Sequence, residues 1–235
     1  MKQTGYSPTE MLVCLAARLT RGMLTVFIGT GVPMLAASLS KKLYAPELAP
    51  IFEFGGIGSA LAELPFGVGE HRTFKDGVAA MGLCDAMELA QRGYVECGFL
   101  GGAQIDRYGN LNTTVIGPHD KPKARLPGSG GGNDVGSFCW KTIILMRHDK
   151  KRFVEKLDFL TTPGYLTGPG SRERAGLSRN TGPAYVVTDL GLFDFEPKTK
   201  RMRLVAVNPG VTASNVIVNT GFKLLTAKNI RHNPA

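Results

Sequence analysis

Apolar and polar positions alternate in blocks along the chain, and the blocks predict helices and strands in turn. The segment Ser7-Pro8-Thr9-Glu10 joins an N-cap serine, a proline suited to the first helical turn and a glutamate at capping-box spacing. A helix should therefore begin at Pro8, and Gly22 stands where it would end. The apolar run 24–28 predicts a buried strand, and the proline after the next glycines opens a second predicted helix over 33–43.

The same alternation continues through the rest of the chain. Residues 50–54 predict the next strand, which completes a β-turn-α-β unit of the kind that builds parallel sheets. Asp85 is predicted to cap a further helix that Gly93 closes, and Thr212 is predicted to cap a short last helix. The other runs that predict strands are 95–102, 142–146, 184–190 and 203–207. The pattern predicts an α/β fold with an open, mostly parallel sheet flanked by helices.

Length and composition favour one globular unit. The chain has 235 residues and 43% apolar composition, enough to fill a substantial core, and we expect a single domain over 1–235. No stretch approaches the roughly 20 uninterrupted apolar residues of a membrane span, and the N-terminus lacks the apolar segment of a secretory signal. We therefore expect a cytoplasmic protein that has no membrane association.

The net charge and the cysteine content limit which ligands, partners and metal sites are expected. The formal net charge of +9 favours an anionic ligand or partner. Nucleic acid is not favoured, because the basic residues cluster in loops with little aromatic interleaving and form no recognised module. A phosphorylated small molecule or an acidic partner subunit would also account for the excess of positive charge. The four cysteines are scattered, without the spacing of metal ligands, so we expect no metal site and interpret them as reduced core thiols. The basic loop clusters are 121–125, 150–152 and 172–179.

Two long connections, 117–139 and 163–183, exceed the usual length of a loop and call for a functional explanation. The glycines at 29–31 lack the third glycine of a dinucleotide fingerprint, and Ser129 lacks the glycine two residues earlier that a hydrolase elbow requires. The run 128–134 does offer backbone N–H groups that could bind a phosphate or an oxyanion. The alternative is a flexible surface loop.

Glu53 is the most informative acidic residue, because it stands within an apolar run that turns into glycines. A partly desolvated carboxylate at the end of a strand suits a nucleophile or a proton acceptor, and Gly55, Gly56 and Gly58 would leave space beside it for a substrate. The alternative is a structural partner for a buried arginine or backbone amide. Two later carboxylates among polar residues are expected to be solvated, namely Glu63 and Glu70.

Several segments together resemble one known family over nearly the whole chain. Their order and spacing are similar to those of the B subunits of family I CoA-transferases of the glutaconate type. The segments are LYAPELAPIFEFG, FLGGAQIDRYGNLNTTVIG, LPGSGGGND, KRFVEKLDFLTTPGY, GPGSRERAGL and PAYVVTDLG. The resemblance implies the open α/β fold of that family and places its catalytic glutamate at Glu53.

The resemblance also implies a mechanism. A glutamate of this class attacks an acyl-CoA thioester, forms a mixed anhydride and then a glutamyl-CoA thioester, and passes the CoA to a second carboxylate. Coenzyme A is thus expected as a substrate, with no permanently bound cofactor. Candidates for oxyanion donors and for substrate or CoA contact are Gly29, Gly31, Gly101, Gly102, Gln104, Gly130, Gly131, Gly132 and Asn133.

The family builds its enzymes from two related subunits, so an alpha-type subunit is the expected partner in a hetero-oligomer. Three functions stay open at this point. The first is CoA transfer to a small carboxylate such as glutaconate. The second is thioester hydrolysis or decarboxylation on the same scaffold. Retention of Glu53 favours the first over the second. The third is an inactive regulatory or scaffolding subunit, which the intact E-x-G and GGAQID segments make the least favoured.

Overall fold

The structure is a computed structural model that describes residues 5–29, 31–60 and 63–234. Its α-helices are α1 (Pro8–Leu19), α2 (Val32–Leu43), α3 (Leu83–Gln91), α4 (Gly132–Phe138), α5 (Ser171–Arg174) and α6 (Ala213–Val218). A 3-10 turn covers His71–Thr73. The first strands are β1 (Thr25–Ile28), β2 (Ala49–Phe52), β3 (Gly56–Ile57), β4 (Ala79–Ala80), β5 (Cys97–Leu100), β6 (Gln104–Ile105) and β7 (Leu111–Asn112). The remaining strands are β8 (Val115–Ile116), β9 (Ala124–Arg125), β10 (Lys141–Leu145), β11 (Pro183–Val187), β12 (Gly191–Phe195), β13 (Met202–Val207) and β14 (Leu225–His232).

One sheet of ten strands organises the chain, in the order β14-β13-β12-β11-β10-β5-β1-β2-β3-β4. Its centre, from β11 through β10, β5 and β1 to β2, is parallel throughout. Antiparallel pairs extend it on both sides, and β14 returns parallel to β13 at one edge. The predicted α/β fold, with an open and mostly parallel sheet between helices, is confirmed.

Alternation along the strands divides the core between the two faces of the sheet. In β1, Val26 and Ile28 pack on one face with the buried sides of α1 and α2, whereas Phe27 packs on the other. The second face is covered by α3, α4 and α6, which contribute Ala90, Val135 and Val216. Successive side chains of a strand point to opposite faces, so a strand buried on both reads as a continuous apolar run.

Capping side chains set several helix ends. The Ser7 Oγ accepts a hydrogen bond from the Glu10 N–H, and the Glu10 carboxylate accepts one from the Ser7 N–H, so the predicted capping box and the start of α1 at Pro8 are confirmed. Thr212 caps α6 in the same way, as predicted.

The prediction that Asp85 caps its helix is wrong. The N-cap of α3 is Gly82, three residues earlier, and the helix begins at Leu83. Asp85 lies inside the first turn, where its carboxylate accepts a hydrogen bond from the Gly82 N–H at 3.1 Å. An acidic residue three positions after the cap is the other half of a capping box, so the residue type was informative but its position was misassigned.

The structure also corrects two predicted spans. β2 ends at Phe52, so Glu53 lies one residue beyond the strand that was expected to contain it. The two long connections hold regular structure: 117–139 contains β9 and α4, and 163–183 contains α5. The antiparallel strand β12 and the edge strand β14 were not predicted, because their mixed polar and apolar residues give a weak strand pattern.

The cysteines differ in their surroundings. Cys97 and Cys139 are buried, as expected, and burial raises the pKa of the Cys139 thiol to about 12 and that of Cys97 still further above its ordinary value. Cys14 is half-buried, and Cys84 is exposed, so the expectation of a core thiol is wrong for Cys84. In the described ranges no helix is both long and apolar enough to cross a bilayer.

Candidate active site

A cleft of about 440 Å³ opens at the carboxyl ends of the central parallel strands. Ile28 at the end of β1, Leu100 at the end of β5 and Leu145 at the end of β10 line it, together with Glu53 just after β2. The carboxyl edge of a parallel sheet is where open α/β folds bind ligands, because the connections to the helices diverge there. The prediction that chemistry should be sought at this edge agrees with the position of the cleft.

Glu53 is half-buried in the lining of this cleft, directly after the buried end of β2. No described residue donates a hydrogen bond to its carboxylate or forms an ion pair with it. The alternative role considered from the sequence, a structural partner for a buried arginine or amide, therefore has no counterpart among the described residues. Its oxygens are available to a ligand in the cleft.

The glycine turn before α4 lies beside this carboxylate. A Cβ placed on Gly131 would lie 3.4 Å from the Glu53 Oε1, and one placed on Gly130 would lie 3.6 Å from the same atom. Gly130 has a φ of 48°, in the left-handed region that favours glycine. No described residue accepts a hydrogen bond from the backbone N–H of Gly130 or Gly131. The turn thus brings a peptide backbone without side chains to the edge of the carboxylate.

The turn is anchored at both ends. Thr113 holds Gly128 twice, because its hydroxyl donates to the Gly128 carbonyl at 2.7 Å and its own carbonyl accepts from the Gly128 N–H at 2.8 Å. At the other end, the Ser129 Oγ accepts a hydrogen bond from the Asn133 N–H at 3.0 Å. The segment that the sequence left open as a flexible surface loop is therefore tied to its surroundings.

The glycines after Glu53 do not leave space for a substrate, contrary to expectation. A Cβ on Gly55 would lie 1.9 Å from the Met81 carbonyl oxygen, and one on Gly56 would lie 2.1 Å from the Thr73 carbonyl oxygen. These glycines instead allow the chain from 70 to 82 to pack against the residues that follow the carboxylate. The ligand space lies on the other side, toward Gly131.

The predicted contact residues separate into two groups. Five of them line the cleft with Glu53, and these are Gly29, Gly101, Gly130, Gly131 and Gly132. Gly31 is the N-cap of α2, and Gly102 packs near Leu111, so neither lines the cleft.

Gln104 and Asn133 also lie outside the lining of the cleft, and their side chains bond within the protein. The Gln104 amide donates to Asp158 at 2.9 Å and accepts from Asn112 at 2.7 Å. The Asn133 amide donates to the Thr161 carbonyl at 3.0 Å. Both side chains support the loops behind the cleft.

Several lining residues escaped the sequence reasoning. The hydroxyl-bearing Thr113, Ser129 and Thr162 face the cleft, and Phe99 and Val135 form part of its apolar wall. Their signal was present in the NTT, GSGGG and TTP segments, but a hydroxyl residue in a loop is too common to single out. Met87 of α3 was missed as well, although its methyl group would lie 2.5 Å from a Cβ on Gly131.

Charge is sparse in the cleft. Glu53 is the one charged side chain among its described lining residues. In the described part of the chain, no group of three or more histidine, cysteine or acidic side chains could hold a metal ion. The expected solvated carboxylates lie elsewhere: Glu63 is exposed, whereas Glu70 is partly buried and pairs with Arg72 at 3.0 Å.

Arg172, which the sequence placed in a basic loop cluster, is buried. Its guanidinium donates to the backbone carbonyls of Gly136, Ser137, Pro163 and Gly164 and to the Thr181 hydroxyl. With only 2% of its surface exposed, it is not available to an anionic partner. It fastens the end of α4 to the segment that carries Thr162.

The fold and the cleft together define a class of protein. It is an open α/β domain with a ligand-sized cleft at the carboxyl ends of its parallel strands, and the cleft holds one carboxylate, beside a glycine turn, with which no described residue pairs. A carboxylate with free oxygens beside unpaired backbone N–H groups can attack an electrophilic carbonyl and stabilise the oxyanion that forms.

Comparisons with known proteins identify the family. Residues 9–219 match the family described as Coenzyme A transferase. The chain is 40% identical over 233 residues to the B subunit of glutaconate CoA-transferase from Acidaminococcus fermentans, covering 97% of this chain and 87% of that protein. It is 36% identical over 234 residues to the B subunit of 3-oxoadipate CoA-transferase from Pseudomonas knackmussii, covering 99% and 89%.

A solved structure agrees with these relatives. The crystal structure of glutaconate coenzyme A-transferase from Acidaminococcus fermentans matches with a TM-score of 0.93 at 38% identity, over 99% of this chain and 90% of the matched chain. The chain belongs to the coenzyme A transferase family, and the resemblance noted from its sequence is confirmed.

Proposed function

We propose that this chain is the beta-type subunit of a CoA-transferase that moves CoA between an acyl-CoA and a small dicarboxylate, with Glu53 as the nucleophile. The observation that carries the proposal is the Glu53 carboxylate, which no described residue pairs with, in the cleft beside Gly130 and Gly131, whose backbone N–H groups have no acceptor among the described residues. The names of the two relatives, glutaconate and 3-oxoadipate CoA-transferase, support a dicarboxylate as the substrate class.

The first half-reaction loads CoA onto the enzyme. A Glu53 carboxylate oxygen attacks the thioester carbonyl, the carbon–sulfur bond breaks, and a mixed anhydride and the CoA thiolate form. The thiolate then attacks Cδ of Glu53 and expels the donor acid as a carboxylate, which carries away one glutamate oxygen. The product is a glutamyl-CoA thioester, and each step conserves charge without a metal or a redox partner.

The second half-reaction reverses the order. A carboxylate oxygen of the acceptor attacks Cδ of Glu53, the thiolate leaves, and it then attacks the acceptor carbonyl of the new anhydride. Acceptor-CoA departs, and the oxygen left on Glu53 restores its carboxylate. Every addition step creates an oxyanion, which the N–H groups of Gly130 and Gly131 would stabilise.

The cleft walls serve the same chemistry. Apolar side chains such as Phe99 and Val135 exclude water from the thioester, which would otherwise be hydrolysed. Binding energy from the long CoA molecule, remote from the reacting carbonyl, contributes to positioning it. Coenzyme A acts as a substrate in this scheme, and no permanently bound cofactor takes part.

An alpha-type subunit completes the proposed enzyme. Both relatives are named as B subunits, which supports a hetero-oligomer of two subunit types. The cleft leaves Glu53 half-buried and holds no cationic side chain among its described lining residues, so the companion subunit is proposed to cover it and to supply contacts to CoA. We place this assembly in the cytoplasm, without nucleic acid or membrane partners.

Trapping the intermediate tests the proposal. The complex of both subunits is incubated with an acyl-CoA, reduced with borohydride and mapped by peptide mass. The expected result is a Glu53 side chain that has lost one oxygen and gained two hydrogens, only when the acyl-CoA is present. Turnover of the thioester with Glu53 unmodified would contradict the covalent route and favour a hydrolase or decarboxylase.

A further inference from the structure

Thr162 stands out among the cleft residues because its backbone is rigidly held. Its N–H donates to the Leu111 carbonyl at 3.1 Å, and its carbonyl accepts from the Leu111 N–H at 3.0 Å. The next two residues, Pro163 and Gly164, have their carbonyls fixed by Arg172. The position of the Thr162 side chain is thus set before any ligand binds.

Two glycines of α4 fix the rotamer of Thr162. A Cβ on Gly136 would lie 2.3 Å from the Thr162 Cγ2, so the methyl group occupies the notch that Gly136 leaves open. A Cβ on Gly132, one helical turn earlier, would lie 3.4 Å from the Thr162 Oγ1. Because a β-branched side chain is stiff about χ1, seating the methyl group against Gly136 directs the hydroxyl toward Gly132 and the cleft.

The hydroxyl of Thr162 has no partner among the described residues, although only 3% of the residue is exposed. The adjacent Thr161 differs, since its Oγ1 accepts from the Thr113 N–H at 2.9 Å and bonds to the Thr114 hydroxyl at 2.7 Å. Because Thr162 lines the cleft and its Oγ1 keeps some exposure there, the hydroxyl is free to bond to a ligand in the cleft.

The hydroxyl and the Glu53 carboxylate face the same part of the cleft. The carboxylate lies against Gly131 and the hydroxyl against Gly132, and consecutive Cα atoms are about 3.8 Å apart. An acyl group whose carbonyl meets Glu53 would therefore extend along the wall toward Thr162. The cleft offers no cation there among its described residues, so a hydroxyl is the group available to a second polar end of the substrate.

We infer that Thr162 is a specificity residue whose hydroxyl donates a hydrogen bond to the distal carboxylate of the acyl substrate. The contact of its methyl group with Gly136 directs this hydroxyl into the cleft. This inference rests on the proposed CoA transfer and adds the residue that distinguishes a dicarboxylate from a monocarboxylate. Sites that hydrogen-bond a polar group discriminate strongly against analogues that lack it.

The test compares acceptors in the complex of both subunits, with one acyl-CoA donor throughout. Glutarate and pentanoate are matched acceptors, since they have the same number of carbons and differ in the second carboxylate. Thr162→Val keeps the shape and removes the hydroxyl, and it is expected to lower kcat/KM for glutarate by about 10- to 100-fold. The value for pentanoate should change by less than about 3-fold, and Thr162→Ser should retain glutarate activity.

Thr142 provides a matched control. It is also buried, with 2% exposure and no hydroxyl partner among the described residues, but it lies near the amino end of β10 and does not line the cleft. Thr142→Val should leave both acceptors unchanged. An equal loss for glutarate and pentanoate in Thr162→Val, or no loss for either, would overturn the inference, as would a wild-type complex that prefers pentanoate.

A second measurement does not require turnover. Calorimetric binding of glutarate to the Glu53→Gln complex should weaken about 10-fold or more when Thr162→Val is added, and unchanged binding would also overturn the inference. The two proposals fail separately. Absence of a borohydride-trapped Glu53 thioester removes the proposed transfer route, whereas a trapped thioester with unaltered acceptor preference in Thr162→Val removes only the role of Thr162.

Discussion

Two charged side chains, Glu53 and Arg172, differ in the hydrogen-bond partners that the protein provides for them. Glu53 is half-buried at the cleft and has no partner among the described residues. Arg172 is buried and donates to four backbone carbonyls and one hydroxyl. Neither forms a salt bridge with a described residue. The Arg172 guanidinium is hydrogen-bonded largely by backbone carbonyls, whereas the Glu53 carboxylate has no described partner.

The difference separates scaffold from chemistry. A buried guanidinium that donates to acceptors from three segments fixes their relative positions, because each acceptor would otherwise lose a partner. A carboxylate without donors gains nothing in the resting protein, yet its oxygens are free to attack. Removing Glu53 should therefore abolish activity without lowering the free energy of unfolding. Removing Arg172 should first lower the free energy of unfolding.

The largest expected effect concerns Glu53. Glu53→Gln keeps the size of the side chain and removes the nucleophilic oxygen, so we expect transfer by the two-subunit complex to fall by about 10⁴-fold or more. Steady-state transfer of CoA to glutarate measures this loss, and the melting temperature should stay within about 2 °C of the wild type. Activity close to that of the wild type would contradict the assignment of the nucleophile. Glu63→Gln, at an exposed carboxylate, is the matched control.

The next effect concerns stability at Arg172. Arg172→Met leaves several buried carbonyls unpaired, and we expect a loss of about 3–5 kcal/mol in the free energy of unfolding. For a chain of this size the melting temperature should fall by about 10 °C, measured by calorimetry. The neighbouring Arg174 is exposed, and Arg174→Met should change stability by less than about 0.5 kcal/mol. Equal effects in the two variants would show that the carbonyl contacts contribute little.

A third ionisable group, His148, follows neither pattern because it stays neutral. It stacks on Phe153 with ring centroids 3.8 Å apart, and its Nε2 lies 3.0 Å from the Thr220 hydroxyl. Burial lowers the pKa of His148 from 6.5 to about 4, although the nearby carboxylates of Asp189 and Asp149 oppose the shift.

The pKa of His148 predicts the pH dependence of stability. Between pH 6.5 and about 4 the unfolded chain binds a proton that the folded chain does not, so this contribution is present above pH 6.5 and is lost as the pH falls. The loss is on the order of 3 kcal/mol, seen in urea unfolding at successive pH values. His148→Leu should flatten this part of the profile, and an unchanged slope in that variant would contradict the assignment.

The smallest expected effect probes the contact between the glycine turn and the carboxylate. In Gly131→Ala the new Cβ would lie 2.5 Å from the Met87 methyl group and 3.4 Å from Glu53, so Met87 must move and the free space at the carboxylate shrinks. We expect about a 10-fold loss in kcat without loss of fold. Adding Met87→Ala should recover part of it, whereas Gly67→Ala, with open space around its Cβ, should have no effect.

Much of the fold followed from local signals. Cap residues such as Ser7 and Thr212 act within one helical turn, so their effect can be read from adjacent letters. Asp85 shows the limit, because the same acidic residue suits the cap and the third helical position equally well. The strand β12 pairs with its neighbours in the chain, β11 and β13, and β14 pairs with β13, but the mixed polar and apolar residues of both strands gave no clear local pattern.

The candidate site was only partly predictable for the same reason. Glu53 was recognisable because a charge in an apolar run is unusual. Which of Thr161 and Thr162 faces the cleft depends on the glycines of α4, and no spacing rule separates two adjacent threonines. Gln104 drew attention because it follows two glycines, but its bonds to Asp158 and Asn112 are tertiary contacts that the sequence does not encode locally.

The assembly of the cleft from segments that are distant in the chain has a consequence for how the protein folds. Its walls come from segments as far apart as Phe27 and Thr162, and the strands between them pair out of chain order, with β5 between β1 and β10. Such non-local pairing slows folding, since long loops must close before the contacts form. The Glu53 environment is thus complete only after β10 has docked on β5. Acquisition of a ligand-competent cleft during refolding would report the last stages of sheet assembly.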